Sequence, residues 1–178
     1  MTMKLCGENL TVVFDGEGSI TQLENKLTGE VYPIKDNGEY VIVGGNRVDR
    51  GDLVSRIITD ASAEFIYENF SVYYAVKASY IEKTVTYIPR DDVILEKAGV
   101  MDLTFPDATD IHYHDDCTVW HCPMCTYARH EKGGVYYGLA YPYWDSETEM
   151  AFSPYLPMEM GQIFVSEKAF IGAFEKTG

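Results

Sequence analysis

Apolar and polar residues along this chain alternate in short runs, and that period of two predicts β-strands. No stretch carries a helical stripe over three turns. Asn9 to Phe14 (NLTVVF) is a strand of the alternating kind, and Asp15-Gly-Glu-Gly18 is a turn whose glycines accept positive φ. Ile20 to Glu24 returns as the second arm of a hairpin. Asn25 to Gly29 is another turn, Glu30 to Ile34 a third strand, and Tyr40 to Val43 an apolar run of buried-strand length. Gly44 to Gly51 reads as a loop, and Leu53 to Thr59 as either strand or irregular chain.

The signal sharpens from Ala63. Phe65 to Asn69, Val72 to Ala78, Tyr80 to Ile88 and Val93 to Met101 are expected to form consecutive antiparallel strands. Within the third of these, Ile81, Lys83, Val85 and Tyr87 share one face, and Tyr80, Glu82, Thr84, Thr86 and Ile88 the other. Pro89 to Asp92 is the following turn. Met124 to Arg129, Val135 to Tyr141, Gln162 to Val165 and Phe170 to Phe174 continue the series. Strands joined by turns at such intervals predict an all-β domain spanning residues 1–178, with two packed antiparallel sheets.

Composition narrows the function classes. Hydrophobic residues make up 46% and aromatic residues 13%, enough for a packed core. The formal charge of -14 repels phosphate backbones and anionic lipid, which argues against nucleic-acid and membrane-surface partners and leaves neutral ligands such as sugars open. There is no apolar run of the roughly 18 residues that a transmembrane helix needs, and no leader pattern is visible. A soluble chain is expected.

Candidate chemistry concentrates between Asp110 and Asp145. That stretch holds all four histidines, three of the four cysteines and both tryptophans. Asp115 and Asp116 precede Trp120 and His121, and Tyr141-Pro-Tyr-Trp144-Asp145 repeats the grouping of aromatic with acid. Aromatic faces pack on the C–H side of a pyranose while carboxylates bind its hydroxyls, so Asp115, Asp116, Trp120, His121, Trp144 and Asp145 are candidate carbohydrate contacts. The competing assignment makes the tryptophans packing residues and the acids a solvated rim. His112, His114, Cys117, Cys122 and Cys125 are ligand types for zinc. A second Cys-x-x-Cys is missing, however, and adjacent residues on a strand point to opposite faces, so small buried cysteines are the better reading. A redox role for Cys122-x-x-Cys125 lacks the helix N-terminus that would lower a thiol pKa. Asp91-Asp92 are turn residues, no Gly-x-Ser-x-Gly elbow exists, and Gly44-Gly45 lacks the rest of a phosphate loop. No cofactor is expected.

Three segments in order carry a family resemblance. NLTVVFDGEGSITQLENKLTGEVY (9–32) resembles the opening of many bacterial carbohydrate-active proteins, RHEKGGVYYGLAYP (129–142) their later strand pair, and SEKAFIGAFEKTG (166–178) their closing segment. The chain is similar to the N-terminal β-supersandwich domain, of galactose-mutarotase-like fold, that precedes the (β/α)8 barrel of melibiase-type α-galactosidases and their relatives. The resemblance implies an accessory domain of a glycoside hydrolase, from a bacterial cytoplasm or periplasm. It packs against a catalytic barrel in the same chain and can wall one side of the sugar site. Catalytic carboxylates of those families sit on the barrel, so no catalytic residue carries over. A free-standing carbohydrate-binding or mutarotase-like protein is the alternative, although the histidine and glutamate of such mutarotases match no positions here.

Overall fold

The computed structural model describes residues 2–113, 125–140 and 149–177. Its regular elements are all strands: β1 (Met3–Cys6), β2 (Leu10–Phe14), β3 (Ile20–Asn25), β4 (Glu30–Pro33), β5 (Lys35–Asp36), β6 (Tyr40–Val43), β7 (Asn46–Asp49), β8 (Leu53–Ile58), β9 (Ser62–Tyr67) and β10 (Phe70–Val76). The series continues with β11 (Tyr80–Tyr87), β12 (Val93–Thr104), β13 (Asp110–Tyr113), β14 (Cys125–Arg129), β15 (Gly133–Leu139), β16 (Glu149–Phe152), β17 (Leu156–Met158), β18 (Phe164–Val165) and β19 (Ala169–Glu175).

The strands form a four-stranded sheet, β1-β2-β3-β4, and a nine-stranded sheet, β13-β14-β15-β19-β11-β10-β9-β8, with β18 also on β11. A six-stranded sheet runs β16-β12-β6-β7, with β17 and β5 also on β12. The four- and six-stranded sheets meet where β3 contacts β5, and both contact the nine-stranded sheet, so one core lies between two layers. The expected all-β, two-layer arrangement is what the chain adopts.

Period-two alternation builds that core. β9 sends Ala63, Phe65 and Tyr67 inward, β10 Phe70, Val72 and Tyr74, and β11 Ile81, Lys83, Val85 and Tyr87. Phe14 from the opposing layer packs between Phe65 and Tyr74, with ring centroids 4.9 Å from each. Fully burying one such ring contributes about 1.5–3 kcal/mol. One expectation fails: β2 is buried along its whole length, Thr11 and Val13 included, because both of its faces are covered.

The expected loop over Gly44 to Gly51 is a correction. Val43↔Asn46 and Tyr40↔Asp49 pair in register, so Asn46–Asp49 is the return strand of a tight hairpin. Gly44 and Gly45 both take positive φ (55° and 75°), the pair of conformations that a two-residue type I′ turn needs.

Lys83 alternates into the core as expected and finds a partner there. Its Nζ donates to Glu39 Oε1, and Arg50 Nη1 donates to Glu39 Oε2 at 2.7 Å. Arg50 also donates to Ser19 Oγ and lies over the Tyr67 ring, 4.9 Å from its centroid. Asp36 Oδ2 accepts from Ile20 N at 2.9 Å and its Oδ1 from Gly38 N at 2.9 Å. Burial alone would push Glu39 up, but the charges of Lys83 and Arg50 outweigh it and hold the carboxyl below its ordinary range. Asp36 is pushed up, first by burial and then by the Glu39 charge. This cluster ties β11 to the ends of β6 and β7 and to the β2–β3 turn.

Candidate ligand-binding groove

The outward face of the nine-stranded sheet is set by the same alternation. Residues opposite each other on neighbouring strands share a face, so the register places Tyr80, Gly172, Tyr136, Tyr127 and His112 in one row across β11, β19, β15, β14 and β13. The adjacent row is Glu82, Phe170, Gly138 and Cys125. Glycines on this face leave room for the rings beside them. A Cβ on Gly172 would overlap the Tyr136 ring, and one on Gly134 would approach Phe174 Cζ at 2.8 Å.

The rings form a connected aromatic surface. Phe170 meets Tyr80 edge-on at 6.4 Å and Tyr136 at 6.4 Å, while Tyr127 meets Phe174 edge-on at 6.0 Å. Tyr80, Glu82, Tyr136, Ala140, Lys168, Ala169 and Phe170 line a depression of about 330 Å³. Such a volume lies at the low end of small-molecule sites. At its edge Glu82 Oε1 lies 3.3 Å from Lys168 Nζ and 3.8 Å from Lys77 Nζ. The Lys77 position is set by the β10–β11 hairpin, whose Lys77 N donates to Tyr80 O at 2.9 Å. Burial raises the Tyr136 and Tyr127 hydroxyls above their ordinary pKa, so both stay protonated donors at neutral pH.

Asp115, Asp116, Trp120, His121, Trp144 and Asp145, the candidate carbohydrate contacts, lie outside the described residues, as do His114, Cys117 and Cys122. Two metal-ligand candidates are described. His112 is exposed on β13 and Cys125 half-buried on β14, and burial pushes the Cys125 thiol up to about 11. That environment suits a small packed residue better than a thiolate ligand. Among the described residues no group of three or more His, Cys, Asp or Glu side chains is arranged to hold a metal ion. His130, in the same stretch, is buried and stacked on Tyr32, with ring centroids 3.8 Å apart and planes 18° apart. It packs one sheet onto another.

The groove was missed as a site in the sequence because its members come from three strands and their flanks, far apart in the chain. One signal was present: Tyr80 and Glu82 share the face opposite the core residues of β11, joining aromatic to carboxylate on one side of a strand.

No protein-family model matches the chain. No curated protein matches it either. Among solved structures, it is similar to a galactose mutarotase related enzyme from Lactobacillus acidophilus, with a TM-score of 0.52 and 12% identity over 99% of this chain and 98% of that one. At that identity the likeness is one of architecture, and the chain has a galactose-mutarotase-like sandwich fold.

Proposed function

We propose that this chain is a non-catalytic, carbohydrate-handling supersandwich, the N-terminal domain of a glycoside hydrolase whose bond-cleaving (β/α)8 barrel lies in the rest of a longer polypeptide. The observation that carries the reading is the groove itself. A ring surface of Tyr80, Tyr136 and Phe170 beside the Glu82 carboxylate is the pairing of apolar face and hydroxyl acceptor that a pyranose needs. In this reading Asp115, Asp116, Trp120, His121, Trp144 and Asp145 supply further sugar contacts. Cys125 and Ala140 flank the segments that carry them, and Ala140 lines the groove.

Exposed apolar side chains support the accessory role. Ile94 is exposed at the start of β12, Tyr155 just before β17 and Leu156 at its start, and Met160, Ile163 and Val165 around β18. Exposed apolar surface of this kind is what a docked neighbouring domain would cover. Tyr155 holds a left-handed backbone (φ 47°) that non-glycine residues seldom adopt, with its ring pointed to solvent.

The test is titration of the chain with galactose, glucose, galacturonic acid and short oligosaccharides, followed by calorimetry or by the NMR shifts of the groove residues. Binding that weakens about tenfold in Tyr136→Ala, as loss of one aromatic contact predicts, supports the reading. Saturable shifts elsewhere, or none at all, overturn it. A second reading, a self-contained sugar-epimerising protein, draws on the match to nearly the whole length of the Lactobacillus enzyme. Polarimetry of freshly dissolved galactose separates the two, since only the second accelerates mutarotation.

A further inference from the structure

The lysines at the groove are not evenly matched with acids. One oxygen of Glu82 faces both Lys168 and Lys77, at 3.3 and 3.8 Å. The Glu82 side chain is 15% exposed, whereas those of Lys168 and Lys77 are 60% and 41% exposed. The carboxylate is thus largely covered by its neighbours on that face, while both ammonium groups stay open to solvent. Among the described residues at the groove, two cations share one anion, on a chain whose net charge is -14. Among the described residues, other acids on this face are placed elsewhere. Glu64 lies two strands away across Tyr73 and accepts from Ser71 Oγ at 2.8 Å, and Asp110 lies 3.9 Å from Arg129 at the far edge.

A neutral sugar on the aromatic surface would leave those ammonium donors without an anionic partner, whereas an acidic sugar supplies one. We propose that the groove takes an acidic pyranose, its ring against Tyr136 and Phe170 and its acid group held by Lys168 and Lys77. This rests on the carbohydrate reading above and narrows its ligand class. Ammonium groups act as point charges without the planar fork of arginine, so a carboxylate or a sulfate on the sugar meets the same requirement.

The experiment measures affinity for galacturonate, galactose 6-sulfate and galactose in the wild-type chain and in Lys168→Met, Lys77→Met and Glu82→Gln. Both lysines are substantially exposed, so the variants should fold, and near-UV circular dichroism checks that they do. At least one anionic sugar should bind about tenfold more tightly than galactose, the scale of one charge-assisted hydrogen bond. That preference should shrink at about 0.5 M NaCl, where screening shortens the reach of exposed charges. Lys168→Met should remove most of it, while Glu82→Gln, which frees both ammonium groups, should enlarge it. Preference for only one of the two anions supports the proposal and identifies the acid group. Equal binding of galactose and both anions, or a preference that survives loss of both lysines, overturns the acidic-sugar inference and leaves the carbohydrate reading standing. Failure of these three sugars, and of the glucose and oligosaccharides named above, to bind overturns both.

Discussion

The ring of Tyr136 occupies the space directly above Gly172 on the neighbouring strand, where any Cβ would overlap its Cζ and Oη atoms. The two residues face each other in the β15–β19 register. Gly172 does not sit in the left-handed region, so its requirement for glycine is steric rather than conformational. The pair sets the height of the aromatic surface lining the groove.

Gly172→Ala should therefore push Tyr136 out of place and destabilise the chain by about 1–3 kcal/mol, the range for overpacking a close contact. In a Tyr136→Ala background most of that penalty should vanish, because the overlapping atoms are gone. A double-mutant cycle by urea denaturation measures the coupling. Additive costs would mean that the ring does not depend on the missing Cβ.

The Glu39–Lys83–Arg50 cluster predicts an acid-sensitive core. Removing the shared anion with Glu39→Ala leaves a buried lysine and a half-buried arginine unpaired and should cost about 3–5 kcal/mol. Glu39 has a folded-state pKa below its unfolded one, so its stabilisation is present above the ordinary value of 4.5 and is lost as pH falls through the lower folded value. Asp36 works in the opposite sense. Its raised folded-state pKa gives stability below its ordinary value of 3.8 that is lost as pH rises through the higher folded value. Denaturation midpoints measured from neutral pH into the acid range should fall less steeply in Glu39→Gln than in the wild type. Parallel slopes would show that Glu39 is not the group being titrated.

His130 predicts a second pH effect, centred higher. Burial holds its imidazole below the ordinary value of 6.5, against the opposing pull of Glu30 and Asp107. The stability this provides is present above pH 6.5 and is lost as pH falls through the depressed folded value. His130→Phe keeps the ring stacked on Tyr32, should cost less than about 1.5 kcal/mol at neutral pH, and should flatten the stability profile just below pH 6.5. Thermal melts across that interval, wild type against variant, make the comparison.

Much of the fold was legible before the coordinates. The inward face of β11 was readable residue by residue, because strict alternation leaves only one assignment. The turns at Asp15 to Gly18 and Asn25 to Gly29 were equally plain, and Gly18 and Gly29 take φ of 84° and 74° there. The hairpin at Gly44-Gly45 was missed because Asn46–Asp49 is mostly exposed and carries little apolar pattern of its own. Asn25 shows the other kind of limit. Read from the chain it opens a turn, yet its Nδ2 also donates to Phe174 O at 2.9 Å, Gly134 O at 3.2 Å and Tyr32 Oη at 3.1 Å. A buried amide joining β3 to β15 and β19 has no local signature, since its partners on those two strands lie more than a hundred residues away.

The sequence by itself determined that this is a layered all-β chain and which residues of β11 face inward, and its net charge of -14 argued against nucleic-acid partners. Those properties follow from period-two alternation, turn chemistry and summed charge, which act over a few residues or over the whole chain. Only the tertiary structure decided that Lys83 would find Glu39, that Tyr136 would lie over Gly172, and that Glu82 would sit between Lys77 and Lys168. Each of those depends on strand order and register in a sheet whose neighbours are distant in the chain, and alternation says which face a side chain takes but not whose face it meets.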